Sequence, residues 1–140
     1  MATGKLPVRV YYEDTDSGGI VYYANYLRFA ERGRTELLRT LGVDHQQLLR
    51  DYNMLFAVKL FSIDYQVSAK LDDLLIVETT ITNIGGASMD MSQVIRHEQG
   101  HVLISANTKL VAITPTGQVL RIPNPLRQVF ETGHLSQVKE

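Results

Sequence analysis

The apolar and polar positions divide the chain into a helical early part and a strand-rich remainder. Residues 8–12, Val-Arg-Val-Tyr-Tyr, form a short β-branched and aromatic run that predicts a strand. It stops at Glu13-Asp14-Thr15-Asp16-Ser17-Gly18-Gly19, whose small and polar side chains predict a loop. From Asn25 the period changes. Tyr26, Ala30, Gly33, Leu37 and Leu41 recur at three- and four-residue spacing, with Arg28, Glu31, Arg32, Arg34, Glu36 and Arg39 between them. This pattern predicts a long amphipathic helix with Asn25 as N-cap and Gly42 as its stop. Asp44 is placed to cap a second, short helix through Arg50.

After that the pattern is of strands. Phe61, Ile63, Tyr65 and Val67 alternate with Ser62, Asp64, Gln66 and Ser68, as in a half-buried strand. Strands are predicted over residues 74–84, 88–97 and 102–114, separated by Gly85-Gly86 and by Glu98-Gln99-Gly100. Pro115-Thr116-Gly117 makes a further turn, and residues 119–122 suit a last short strand. Pro125 is placed to open a C-terminal helix capped by Asn124. A strand, a long helix and an antiparallel meander imply one α+β domain over residues 1–140, with the sheet curled around the helix. The sheet's other face and its edges then favour self-association.

Composition narrows the function. Fourteen basic and fifteen acidic residues among 140 leave a formal charge of −1, without the basic excess of a nucleic-acid binder. The chain has no cysteine, which excludes disulfides, a thiolate nucleophile and cysteine-held metals. The N-terminus lacks the apolar core of a secretory signal, and no apolar run reaches the roughly 18 residues of a membrane span. The expectation is a cytoplasmic protein.

The loop holds the candidate chemistry. Asp14-Thr15-Asp16 follows a strand, as phosphotransfer motifs do, but those sit among alternating strands and helices around a parallel sheet, which this order lacks. Asp14 suits a solvated turn or helix-entry charge. Asp16 lies upstream of the helix start, where unpaired N–H groups and the positive dipole end suit a carbonyl oxygen that becomes an oxyanion. A carboxylate beside such donors can attack an acyl carbon or activate water, although a turn-forming role also fits. Ser88 is not in a serine elbow, and no phosphate loop is present. His45, His97, His101 and His134 lack metal-ligand spacing; His97 and His101 flank a turn and suit solvent. Tyr11, Tyr12, Tyr22, Tyr23 and Tyr26 suit a core, an interface or the wall of an acyl pocket, and Met89 and Met91 suggest an adaptable apolar pocket.

Residues 8–26, Val-Arg-Val-Tyr-Tyr-Glu-Asp-Thr-Asp-Ser-Gly-Gly-Ile-Val-Tyr-Tyr-Ala-Asn-Tyr, closely resemble the signature of the 4-hydroxybenzoyl-CoA thioesterase family, in particular its YbgC branch. Residues 29–39 continue the match, and 69–73 and 86–88 do so more loosely. The resemblance implies a hot-dog fold and hydrolysis of short- or medium-chain or aromatic acyl-CoA, with no cofactor beyond the substrate's coenzyme A and no metal. It places the catalytic carboxylate on Asp16 and the oxyanion donor on the Tyr23 backbone amide. Gly19, Tyr22, Asn25 and Ser88 become the expected substrate contacts. The branch usually carries His where this chain has Tyr23, whereas the parent thioesterase has Tyr. The parent's basic cluster for the nucleotide phosphates falls on Gly85-Gly86-Ala87, leaving Lys70, Arg96 and Lys109 as candidate replacements. The family implies a homotetramer built as a dimer of dimers. The alternatives are an acyl-carrier-protein thioester as substrate, a hot-dog dehydratase or isomerase, and a non-catalytic scaffold in lipid synthesis or envelope assembly. The dehydratase chemistry usually needs a histidine, and none lies near the motif.

Overall fold

In the computed structural model, which describes residues 1–133, five antiparallel strands form one sheet. The strands are β1 (Thr3–Arg9), β2 (Leu55–Tyr65), β3 (Leu74–Ile84), β4 (Ser88–His97) and β5 (Val102–Ile113), in the spatial order β1-β3-β4-β5-β2. The helices are α1 (Asn25–Thr40), α2 (His45–Tyr52) and α3 (Asn124–Thr132). This is the expected α+β arrangement, with the bounds of β3 and β4 as the alternation predicts them.

Four local expectations need correction. The first strand begins at Thr3 and ends at Arg9, while Tyr12–Asp14 form a single 3₁₀ turn. Pro7 lies inside β1, where it is tolerated because β1 is an edge strand paired only with β3. β2 also begins earlier than its alternation suggests, at Leu55, and it is the opposite edge of the sheet. Residues 119–122 form no strand, only an isolated bridge between Val119 and Ile113. Asn25 is the first helical residue and not the cap, because its side chain is drawn elsewhere. Asp44 does cap α2, accepting from Gln47 N–H at 2.8 Å.

α1 lies directly on the sheet. A Cβ at Gly33 would stand 2.5 Å from Val77 Cγ1, 2.9 Å from Thr79 Oγ1 and 3.0 Å from Gln93 Nε2, so the close approach requires glycine. Gln93, fully buried on β4, donates to Ala30 O at 2.8 Å and to Thr79 Oγ1 at 2.9 Å. Its Oε1 accepts from Arg34 Nη1 at 3.1 Å. Arg34, which the polar spacing places on the outer face, is therefore buried in this polar seam. Apolar clusters flank the seam. One gathers Tyr26, Phe29, Val77, Ile95 and Leu103; the other gathers Leu37, Met54, Met89, Met91 and Phe130 of α3. Met89 and Met91 are thus fully buried core residues, and neither borders the cavity beside Asp16 described below. Close packing and this buried polar seam together fix α1 against β3 and β4.

Candidate active site

The Asp-Thr-Asp motif is one side of a small hairpin that leads into α1. Tyr22 N–H donates to Asp14 O at 3.0 Å, Thr15 and Val21 form an antiparallel bridge, and Asp16 N–H donates to Ile20 O at 2.9 Å. The tip is closed by Gly18 N–H, which donates to Asp16 Oδ1 at 2.8 Å, and by Gly19 N–H, which donates to Asp16 O at 3.2 Å. Gly19 has a φ of 81°, a left-handed conformation that glycine adopts without strain. The hairpin's outer strand is held by Val21 N–H to Ala69 O at 2.9 Å and by Leu71 N–H to Gly19 O at 3.1 Å. A short motif without a core of its own is in this way tied along its returning strand to the segment between β2 and β3.

The helix entrance follows at once. Asn25 N–H donates to Tyr22 O at 2.8 Å, and Tyr26 N–H to Tyr23 O at 3.4 Å. The N–H groups of Tyr23 and Ala24 have no hydrogen-bond acceptor among the described residues. They are the open donors of a helix start, with the positive end of the α1 dipole behind them.

Asp16 and Tyr23 border the same cavity, of about 360 Å³, together with Tyr22, Tyr26, Tyr65 and Val67 among its lining residues. Its walls are aromatic. The Tyr22 and Tyr23 rings lie 5.0 Å apart, Tyr23 and Tyr65 meet edge to face at 6.2 Å, and Tyr26 and Tyr65 at 5.7 Å. Tyr65 Oη donates to Tyr23 O at 3.2 Å, and Tyr26 Oη accepts from Ala69 N–H at 2.9 Å. Burial pushes the Tyr26 phenol above its ordinary range, against the Ala69 N–H, which lowers it. Burial also raises Tyr65, helped by neighbouring Tyr23. Both phenols stay protonated at neutral pH and cannot serve there as bases, which leaves Asp16 as the carboxylate on this wall. A larger depression of about 450 Å³ lies between β1 and α1, where Arg9, Glu13, Arg32 and Glu36 join apolar residues of β1; neither Asp16 nor Tyr23 borders it.

The structure brings Asp16, Tyr22 and Tyr23 together and separates the other expected contacts. Gly19 shapes the hairpin turn without bordering the cavity. Asn25 is buried and its Nδ2 donates to Asp14 Oδ1 at 2.7 Å. Ser88 opens β4 at the far end of the β3–β4 turn. Asp14 is not solvated as expected; it is 8% exposed. Tyr65 through Ser68, at the end of β2, complete the cavity, yet no local motif marks them. Lys109 pairs with Asp90 at 3.1 Å and Arg96 with Glu78 at 3.2 Å, so both are engaged on the sheet. The cations at the Gly85-Gly86 turn come instead from near the C-terminus. Arg127 donates to Gly85 O at 3.0 Å, and Arg121 Nη1 would lie 3.3 Å from a Cβ at Gly86. His97 and His101 stack at 4.8 Å with His97 Nε2 3.4 Å from Asp73, and His134 lies outside the described residues.

Comparison with known proteins gives these features a context. The family profile described as the thioesterase superfamily matches residues 18–104. An acyl-CoA thioesterase YbgC from Haemophilus influenzae is 48% identical over 130 residues, covering 93% of this chain and 94% of that protein. An acyl-CoA thioester hydrolase YbgC from Escherichia coli is 41% identical over 111 residues, covering 79% of this chain and 82% of that protein. The crystal structure of a probable thioesterase from Bartonella henselae superposes with a TM-score of 0.82 at 35% identity, covering 87% of this chain and all (100%) of that one.

Proposed function

The chain belongs to the thioesterase superfamily and is a YbgC-like acyl-CoA thioesterase; we propose that Asp16 and the Tyr23 amide carry its chemistry. The observation behind this reading is that one cavity is bordered both by the Asp16 carboxylate and by a helix entrance whose amides are open. A thioester carbonyl placed between them would direct its carbon toward Asp16 and its oxygen toward the Tyr23 N–H. Asp16 then either attacks the carbon or takes a proton from a water that attacks. Attack gives a mixed anhydride and releases coenzyme A as thiolate, and water then cleaves the anhydride to the free acid. Both routes need water and no cofactor, and in both the oxyanion is held by donors that are already oriented.

The substrate reading is a short- or medium-chain or aromatic acyl-CoA, supported by the tyrosine rings that wall the cavity. The test is a panel of acyl-CoA esters scored by free-thiol release. Turnover of at least one such ester is expected. If all are inert while an acyl-carrier-protein thioester is cleaved, the carrier-protein alternative replaces this one.

The coenzyme A phosphates are assigned to the Gly85-Gly86 turn, where Arg121 and Arg127 supply the charge and Ser88 stands at the start of β4. Arg121→Glu is expected to raise KM for acyl-CoA about tenfold, equivalent to about 1.4 kcal/mol, with kcat little changed. A truncated thioester lacking the nucleotide should be unaffected. Equal loss on both substrates would contradict the assignment.

The reading extends to assembly and location. The edge strand β2 exposes Val58 and Leu60, at 51% and 60%, and neighbouring Leu27 on α1 is 44% exposed. Unpaired backbone and apolar side chains together favour a matching copy. A dimer of dimers is the expected assembly, and a monomeric mass in light scattering at micromolar concentration would contradict it. The proposed activity is that of a single-domain cytoplasmic enzyme, which suits a cysteine-free chain acting on coenzyme A esters.

A further inference from the structure

We propose that Asp14 is the positioning residue of this site, its buried carboxylate locking the Asp16 hairpin onto the entrance of α1 and so setting Asp16 against the Tyr23 amide. The proposal rests on the assignment of Asp16 and Tyr23 made above.

Three segments converge on Asp14. Its Oδ2 accepts from Tyr11 N–H at 2.8 Å, in the chain that precedes the motif. Its backbone oxygen accepts from Tyr22 N–H at 3.0 Å, in the returning strand of the hairpin. Its Oδ1 accepts from Asn25 Nδ2 at 2.7 Å, in the first turn of α1. Tyr23, the residue whose amide would hold the oxyanion, lies between Tyr22 and Asn25 and is therefore held from both sides by Asp14. Asp16 is two residues further along the same strand and depends on the same anchor.

An ordinary turn does not require this. A carboxylate only 8% exposed is costly to bury unless hydrogen bonds compensate it, and here two charge-assisted bonds do. Asn25 would ordinarily be a good cap for α1, yet its side chain is committed to Asp14. Both neighbours of the carboxylate are donors, an N–H and an amide NH₂. The residue at position 14 thus presents two acceptors, and a side chain with none would leave both donors unmet.

That pairing defines the test. Asp14→Leu removes both acceptors at similar size, and Asn25→Asp sets two carboxylates face to face. Each single variant is expected to lower kcat by about 10- to 100-fold, the scale of an ångström-sized misplacement of reacting groups, with KM little changed. The exchange variant, Asp14→Asn with Asn25→Asp, restores complementarity. The amide at 14 then accepts from Tyr11 N–H and donates to the carboxylate at 25. Its kcat should return to within roughly threefold of wild type, a strong non-additivity between contacting residues. A role confined to stability would move the melting temperature and leave kcat of the folded enzyme unchanged. Full kcat in Asp14→Leu overturns the proposal, and so does an exchange variant that recovers no activity relative to Asn25→Asp, whatever its stability. Asp16→Asn measured alongside separates the two levels. If Asp16→Asn remains active, the site assignment falls and this proposal with it. If Asp16→Asn is inactive and the exchange fails, only the role of Asp14 falls.

Discussion

Asp16→Asn is expected to lower kcat by about 10²–10⁴-fold, the range for loss of a general base, with more lost if Asp16 is the nucleophile. The fold should survive. The structural bonds of the Asp16 side are the Gly18 N–H to Oδ1 and the backbone pairs with Ile20 and Gly19, and an amide oxygen accepts from Gly18 as a carboxylate does. What disappears is the negative charge beside the carbonyl carbon. Among the described residues that border the cavity Asp16 is the one carboxylate, and burial raises the Tyr26 and Tyr65 phenols further from ionisation. The check is kcat on the best ester, with the melting temperature measured on the same preparations. A variant within a few-fold of wild type would remove Asp16 from the chemistry.

Gly33→Ala is expected to destabilise the protein, although alanine is the better helix former. In an exposed helix the exchange would stabilise by about 1 kcal/mol. Here the new methyl meets Val77 Cγ1 at 2.5 Å, Thr79 Oγ1 at 2.9 Å and Gln93 Nε2 at 3.0 Å. Val77 is β-branched and fully buried, and Gln93 is held by Ala30 O and Thr79 Oγ1, so none of the three can step aside cheaply. Overpacking of this kind costs about 1–3 kcal/mol, and three simultaneous contacts place Gly33 at the upper end. Packing wins over propensity. The melting temperature should fall by several degrees, since a kilocalorie corresponds to roughly 2–4 °C at about this size. Because α1 must lift from the sheet, its entrance moves as well, and kcat should fall with stability. A rise in melting temperature would mean that the helix rests less closely on β3 and β4 than the structure describes.

Legibility in the sequence followed burial. β3 and β4 alternate cleanly because one face of each lies under α1, and glycine turns bound them, so their ends could be read to the residue. The edge strands could not. β1 needs hydrogen bonds from one neighbour only and carries Pro7 between Leu6 and Val8 without alternation, and the first half of β2 is an unalternating apolar run beside solvent. Arg34 follows the polar spacing of α1 yet is buried, because Gln93 and Thr108 on the sheet offer it acceptors that helical periodicity does not reveal. Asn25 has the composition of a cap, but a carboxylate eleven residues earlier is the stronger partner. Within the site, the family resemblance selects Asp16 and Tyr23, and both border one cavity because motif and helix entrance are contiguous. Tyr65 and its neighbours, and Arg121 with Arg127, come from segments distant in sequence and are placed only by the closing of the sheet.

The most direct measurement is single-turnover free-thiol release from an acyl-CoA ester, with enzyme in excess, for wild type and Asp16→Asn. Excess enzyme removes product release and bulk affinity from the comparison and leaves the bond-breaking step at the cavity. Rapid thiol release by wild type is predicted, with a rate lower by about 10²–10⁴-fold in the variant and the ester still bound by it. Single-turnover release by Asp16→Asn at close to the wild-type rate would contradict the account.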